Sequence, residues 1–337
     1  MFNIGNRRYT GSKSKLLDWI ENLILENCKG ESFFDVFAGT GVVTGRMKSH
    51  YKKIIMNDIL FSNEIIYKGF YGNGDFNADK LNDIAESFNL LINNDGFADN
   101  YFSINFGGKF FSEKDAKIIG EIRQRIEDMK PHISDREYNI LIASLLYSMD
   151  KVANTVGHYE AYRRISNIED KFYFSLINAE RDSNIDIYRC DANQLVKEVV
   201  ADVAFVDPPY NSRQYSRFYH VLENVAQWKK PELYGTALKP KPENMSDYCR
   251  SNAPEVFRDL IENLQVKYIV VTYNNTYDSK SSSSRNKITL EQIKEILSEK
   301  GETEVFQRKH QFFNAGKTDF EDHKEFVFIT EVKDNEK

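Results

Sequence analysis

The chain is poor in everything that would anchor it in a membrane, staple it with disulfides or load it with metal. No apolar run reaches the roughly 20 residues that a spanning helix needs. Met1 to Lys13 has no apolar core, so the start does not read as a secretory signal. Cysteine occurs three times, at Cys28, Cys190 and Cys249, an odd number without metal-ligand spacing. These read as free thiols in a reducing compartment, and the expected location is the cytoplasm. No His/Cys cluster suggests a metal, and none is expected; His158 has no partner in sequence and reads as a loop histidine. Internal repeats are also absent. A basic excess is missing too: the net charge is -6, whereas phosphate binding calls for a basic footprint. Distribution matters more than the total, and Arg213, Arg217, Lys229, Lys230, Lys239 and Lys241 fall close together. On charge alone such a cluster reads as a solvated face.

What is present is an ordinary globular balance, 41% hydrophobic and 28% charged, in 337 residues, room for about two domains. One stretch organises the rest. Val203, Phe205 and Val206 suit a buried strand that ends abruptly at Asp207-Pro208-Pro209-Tyr210. Neither proline has an N–H for a ladder, so the strand should stop at Asp207. That delivers a carboxylate, a rigid turn and a phenol to the carboxyl rim of a sheet, where open α/β sheets bind ligands.

Upstream, Ser32 to Asp35 leads into Phe37-Ala38-Gly39-Thr40-Gly41 and a helix, the opening of a nucleotide-binding βαβ unit. The dinucleotide fingerprint is not met, because its third glycine position falls on Thr44; the pattern suits a nucleoside without a pyrophosphate. A second strand, Lys53 to Asn57, ends at Asp58, about 20 residues after the glycine turn, where such folds place a ribose-binding acid. Before these, Arg7 to Lys15 is a polar loop that enters an amphipathic helix, with Ser12 or Ser14 as its expected N-cap. From Phe70 to about Asp186 the βαβ rhythm stops. Helices are expected over Lys114 to Met129 and Asp135 to about Tyr147, followed by a polar, aromatic and basic block, Asp150 to Arg164. Strand pattern returns at Ile185 to Asp191, and a short helix is expected over Asn193 to Val199. Gln265 to Tyr273 is a further strand, then come a serine-rich loop from Asp278 to Lys287 and a helix over Thr289 to Lys300 capped by Gly301. Thr303 to Arg308 and Glu325 to Glu331 read as a terminal strand pair around an aromatic loop, Lys309 to Asn314.

Taken together and in this order, the blocks resemble the D12 class of N6-adenine DNA methyltransferases, in particular the FokI-type modification methylases, in the α arrangement. The likeness covers nearly the whole chain. It implies a Rossmann-like α/β sheet that binds S-adenosylmethionine (SAM), with helices on both faces and a mostly helical inserted recognition region. The catalytic domain is then 1–69 with 186–337, and the insertion is 70–185. By the resemblance, Tyr9, Lys13, Asp35, Phe37, Gly39, Gly41, Asp58 and Asp191 serve the cofactor. Lys13 would reach the SAM carboxylate, Asp58 the ribose, and Asp191 would lie near the adenine ring of SAM. Asp207, Pro208, Pro209 and Tyr210 match the catalytic motif. Arg163, Arg164, Arg213 and Arg217 are the expected DNA contacts on double-stranded DNA, and a cognate restriction endonuclease is an expected partner. An RNA adenine methyltransferase and a catalytically inactive nucleic-acid-binding form of the fold are the alternatives.

The chemistry accounts for the residue types. The adenine amine is a poor nucleophile because its lone pair is delocalised into the ring. Two acceptors on its N–H groups, the Asp207 carboxylate and the Pro208 carbonyl, would return density to nitrogen. A base inside a duplex must flip out, at a cost of a few kcal/mol. Stacking on Tyr210, worth roughly 1–3 kcal/mol, would offset much of that.

Overall fold

The computed structural model describes residues 1–337 except 94–95, 166, 182–183, 277–284, 310–322 and 334–337. The aromatic loop expected over Lys309 to Asn314, apart from Lys309, and most of the serine-rich loop fall outside the described residues. The chain divides into two compact units. One comprises Ser12–Ile59, Asn184–Gln214 and Asn244–Lys337; the other comprises Met1–Gly11, Leu60–Ser183 and Tyr215–Glu243. The expected insertion, 70–185, falls in the second unit except for its last two residues. That unit also takes in the chain start and the stretch after the Asp-Pro-Pro-Tyr turn.

The first unit holds a sheet of seven strands among the described residues, in the order β3-β2-β1-β4-β5-β7-β6. These are β1 (Ser32–Asp35), β2 (Lys53–Asn57), β3 (Ile185–Tyr188), β4 (Val203–Val206), β5 (Tyr268–Asn274), β6 (Gly301–Lys309) and β7 (Lys324–Val332). The five strands β3, β2, β1, β4 and β5 are parallel, and β7 runs antiparallel to both β5 and β6. This is the α/β, Rossmann-like sheet that the sequence implied. All four residues of β4 are buried, as a central parallel strand requires. The unit's helices are α1 (Leu17–Asn27), α2 (Val42–Met47), α8 (Ala192–Leu195), α11 (Ala253–Asn263) and α12 (Leu290–Lys300). Ala192, Leu195, Phe257, Leu260, Ile293 and Leu297 from α8, α11 and α12 pack with Phe34, Val206 and Val271 of the sheet in one core.

Three local expectations change. Neither Ser12 nor Ser14 caps α1; their hydroxyls bond each other at 2.8 Å, and Leu16 stands at the N-cap without a side-chain bond. Gly301 does not end α12 in a left-handed turn. Its backbone is extended, it opens β6, and a Cβ there would lie 1.9 Å from the Glu331 carbonyl oxygen. Gly301 still caps the helix, giving its N–H to the Leu297 carbonyl, while its lack of a side chain serves the close strand approach. The short helix α8 is four residues shorter at its C-terminal end than the span to Val199.

The second unit is helical: α3 (Phe61–Tyr71), α4 (Ala78–Leu91), α5 (Tyr101–Phe106), α6 (Glu113–Met129), α7 (Asp135–Val152), α9 (Tyr215–Phe218) and α10 (His220–Gln227). The α7 helix starts on a capping box between Ser134 and Glu137 and is buried from Ile140 through Asp150. It runs five residues past Tyr147, so the polar block begins while still helical. The chain start is tied in by Phe2 N–H to the Leu176 carbonyl at 2.9 Å and by Arg7 Nη1 to Asn63 Oδ1 at 2.7 Å. His158 is a loop histidine, stacked on Phe218 at 4.5 Å.

One aspartate fastens three strands of the sheet where they begin. Asp202 Oδ2 accepts from Glu31 N–H at 2.8 Å, Ser32 N–H at 3.0 Å and the Ser32 hydroxyl at 2.9 Å. Its Oδ1 pairs with Lys267 Nζ at 2.8 Å. Lys267, then these donors, hold the carboxyl well below its usual range. Stability gained this way is present above the unfolded-state value and is lost as pH falls through the folded one. Asp202→Ala should therefore lower the unfolding free energy at neutral pH by about 2 kcal/mol. In urea melts the gap to wild type should narrow as the pH drops below about 4.

Candidate active site

The catalytic-motif residues sit at the end of β4. Strand pairing stops at Val206, and Pro208 and Pro209 carry the chain off the sheet. Asp207 is held at both oxygens. Lys13 Nζ donates to Oδ2 at 2.6 Å, Tyr210 hydroxyl to Oδ1 at 2.6 Å, and Thr272 Oγ1 to Oδ1 at 2.8 Å. Lys13 is itself buried, at 5% exposure, so this ion pair is largely out of water. The Tyr210 ring tilts against Tyr273 with centroids 4.3 Å apart, and its carbonyl accepts from the Tyr273 hydroxyl at 3.1 Å and Lys287 N–H at 2.8 Å. Burial, reinforced by the neighbouring Asp207 charge, keeps the phenol protonated.

The glycine turn lies beside this, after β1. Gly39 and Gly41 have φ of 54° and 75°, the left-handed region that favours glycine. Asp58 Oδ2 accepts from Gly39 N–H at 3.0 Å, so the acid after β2 braces the turn after β1. Asn57 ties the same rim, with its amide on the carbonyls of Val36 and Cys190 at 3.2 Å each. Asp35 is 1% exposed; Thr44 Oγ1 donates to its Oδ2 at 2.7 Å, and its Oδ1 has no partner. Burial pushes the Asp35 carboxyl up to about 7, and Asp207 and Asp58 add to the shift. Phe37 meets Tyr248 edge-on at 5.1 Å.

Other expected residues are placed differently. Asp191 is the N-cap of α8, accepting from Gln194 N–H at 3.2 Å, and it is exposed. Tyr9 belongs to the helical unit, where it stacks on Tyr219 at 4.6 Å and on Tyr215 at 5.4 Å. Arg163 and Arg164 are exposed. The half-buried Arg217 gives Nη1 to the Pro240 carbonyl at 2.6 Å, and Arg213, in the sheet unit, is half-buried. Thr272 escaped the sequence reading. Its signal is a hydroxyl at the end of the apolar run Ile269-Val270-Val271. Since Val206 pairs with Val271, Thr272 falls level with Asp207.

This rim carries an acid, a rigid proline turn and a glycine loop on adjacent parallel strands, the layout of an amino-methyltransferase. The family model of D12 class N6 adenine-specific DNA methyltransferases matches residues 9–277. The chain belongs to this class. Among its relatives, the type II methyltransferase M.NlaIII of Neisseria lactamica is 32% identical over 94% of this chain and 95% of its own. M.CviAII of Paramecium bursaria Chlorella virus 1 is 31% identical over 95% of this chain and 98% of its own. M.FokI of Planomicrobium okeanokoites is 31% identical over 89% of this chain, which spans 48% of that longer protein. The D12 reading, DNA adenine methylation included, therefore holds, and membership favours DNA over RNA as the substrate. No described helix is long and apolar enough to cross a membrane.

Thr272 supplies one of two donors on Asp207 Oδ1. Thr272→Val should slow single-turnover methyl transfer about tenfold, the effect of a hydrogen bond worth roughly 1.4 kcal/mol. Its fold, followed by thermal melting, should be nearly unchanged.

Proposed function

We propose that this D12 methyltransferase uses SAM to methylate an adenine flipped from double-stranded DNA, as the modification enzyme of a restriction–modification system. Asp207, fixed at the end of β4 by three donors, is the observation that carries the reading.

The cofactor's fit is supported by the glycine turn and by the acids around it. The left-handed turn at Gly39 and Gly41 allows close backbone approach. Asp35 keeps an unpartnered oxygen in a buried setting, so it favours a cationic ligand or a donor. SAM, when bound, supplies a methyl group on a sulfonium. Asp35, Phe37, Gly39, Gly41 and Asp58 would hold it, whereas Lys13 is committed to Asp207. Asp191 and Tyr9 are weaker members of that set, since one caps a helix and the other is committed to an aromatic stack.

On the substrate side, Asp207 accepts an N–H of the adenine amine, and the Pro208 carbonyl accepts the other. Both interactions localise the lone pair and aim it for in-line attack, a positioning effect. Tyr210 offers its ring to the extruded base, while its hydroxyl fixes the Asp207 carboxylate. The restriction partner is read from the relatives' names as type II and modification methylases. A cognate endonuclease acting on the same site would need this protection.

Three experiments test the reading. Asp207→Ala should abolish methyl transfer, assayed with labelled SAM, while a fluorescent base analogue in the target site still reports extrusion. Tyr210→Ala should weaken that fluorescent signal by the loss of roughly 1–3 kcal/mol of stacking. Modification-sensitive sequencing of DNA from cells expressing the chain should reveal N6-methyladenine at one short sequence. Near-normal methylation by Asp207→Ala would remove the carboxylate from the chemistry, and SAM binding without any turnover by wild type would favour the inactive alternative.

The DNA face is tested apart from the chemistry. Arg163, Arg164 and Arg213 should each, when changed to Ala, lower the salt slope of DNA binding by about 1 if they contact phosphate. Arg217 should show a mixed effect, because its substitution also removes the bond to Pro240. Unchanged affinity and slope in all four variants would place the DNA face elsewhere.

A further inference from the structure

A second carboxyl stands near the reacting one and has no part in the chemistry above. Glu325 lies on β7, beyond residues 9–277 that the family model matches. In the antiparallel pairing of β5 with β7, Glu325 is opposite Asn274, and Val327 is opposite Thr272. Directly opposed residues share a face, and so do residues two apart along a strand. Glu325, Asn274 and Thr272 therefore project to one side of the sheet, the side on which Thr272 bonds Asp207. Glu325 is 8% exposed, and its Oε2 has no partner. A buried carboxyl left half-satisfied is costly unless it is used.

The surroundings point to its use. Lys13 holds Asp207 Oδ2 at 2.6 Å, and an oxygen already paired with an ammonium is a weaker acceptor for a neutral amine. Oδ1 already takes two donors. The incoming adenine amine therefore meets a stronger acceptor at Oδ2 when Lys13 withdraws, and an ammonium that leaves its partner in a buried place needs another anion. We infer that Glu325 is a positioning residue for methyl transfer: as a carboxylate it draws the Lys13 ammonium off Asp207 and opens Oδ2 to the amine. This rests on the reading of Asp207 as the acceptor for that amine.

The charges around Glu325 agree. Burial pushes its carboxyl up to about 7; the Asp207 charge adds to this, and Lys13 and Asn274 oppose it. Lys13 comes from the segment before α1, Asp207 from the end of β4, Asn274 from β5, and Tyr210, whose phenol feels the Glu325 charge, from the turn. Arg308 of β6, opposite Glu325, is exposed, and His323 is a buried neighbour two residues earlier. When Glu325 is protonated, Lys13 has Asp207 as its anion and stays there. When Glu325 is ionised, the ammonium has two anions to choose between. Methyl transfer should then rise with pH as Glu325 loses its proton.

The test is single-turnover transfer of labelled methyl from SAM to unmodified plasmid DNA, followed from about pH 6 to pH 8. Wild type should show an acid limb near 7. Glu325→Gln should lose that limb and be about tenfold slower at the alkaline end, the effect of one lost pKa unit of charge. Glu325→Asp should keep a limb, shifted in position. SAM affinity should be unchanged in both variants, and that separates positioning of the amine from damage to the cofactor site. Asp35 is also pushed up to about 7, so the loss of the limb in Glu325→Gln is the deciding observation. A Glu325→Gln enzyme with wild-type rate and limb, beside an inactive Asp207→Ala, overturns the role of Glu325 alone. An active Asp207→Ala overturns the reading beneath it. Should Glu325→Gln not fold, a flat wild-type profile or an unshifted limb in Glu325→Asp overturns the role of Glu325.

Discussion

The ion pair between Lys13 and Asp207 is the constraint on which the rest of the sheet's rim depends. Two charges 2.6 Å apart, with side chains 6% and 17% exposed, have lost most of their water. Such pairs often contribute little net stability, because desolvation cancels much of the attraction, yet losing one partner is costly. A pair of this kind at the mouth of a ligand site is better explained by what it holds ready. It requires the segment before α1 to reach the end of β4. It also requires the proline turn to project the carboxylate outward, and β5 to bring Thr272 level with it.

The same rim has to keep several carboxyls close together, and it treats each differently. Asp58 is bound to a backbone N–H of the glycine turn. Asp207 has an ammonium and two hydroxyls. Asp35 and Glu325 are both pushed up to about 7, chiefly by burial, with the charge of Asp207 contributing to each. Like charges this near cannot all be held ionised cheaply. The outcome is a rim that is only partly ionised at neutral pH and that gains from a cation. A sulfonium-bearing cofactor, as proposed, would meet that need, and an acidic protein can present such a site without any basic surplus. The net charge of -6 is therefore a poor guide to the ligand of this rim.

What was legible in the sequence was local. Each parallel strand of β1, β2 and β4 announced itself as an apolar run closed by an acid, and Pro208-Pro209 marked where β4 must stop. Helix α6 showed its apolar period and α7 its strongly apolar run, but not the capping box that starts α7. What was not legible depends on register between strands far apart in the chain. Thr272 and Glu325 matter because of the residues they fall beside, 65 positions from Asp207 for Thr272. Gly301 was legible as the stop of α12, but the Glu331 carbonyl that excludes a side chain there comes from β7. Tyr9 sat within a motif-like segment, but three tyrosines and Arg7 stack there, and no spacing in sequence announces a stack assembled from residues over 200 apart.

Tyr210 shows why a motif's residue types can be right while their division of labour changes. Read alone, its ring is a platform for a base. In the structure the hydroxyl is tied to Asp207 at 2.6 Å, the ring leans on Tyr273, and the carbonyl is held twice. A side chain fixed at hydroxyl and ring, on a backbone held at its carbonyl, has little rotamer freedom left to lose, so a base meeting it would incur less of the ordering cost that stacking usually carries. The same anchoring links the platform to the acceptor. Any movement of the ring to follow the base must stretch the bond to Asp207, and any reorientation of Asp207 must carry the phenol with it. On the proposed reading, base capture and amine activation would be joined through this one hydroxyl, and a purely apolar ring at position 210 could stack but could not transmit that motion.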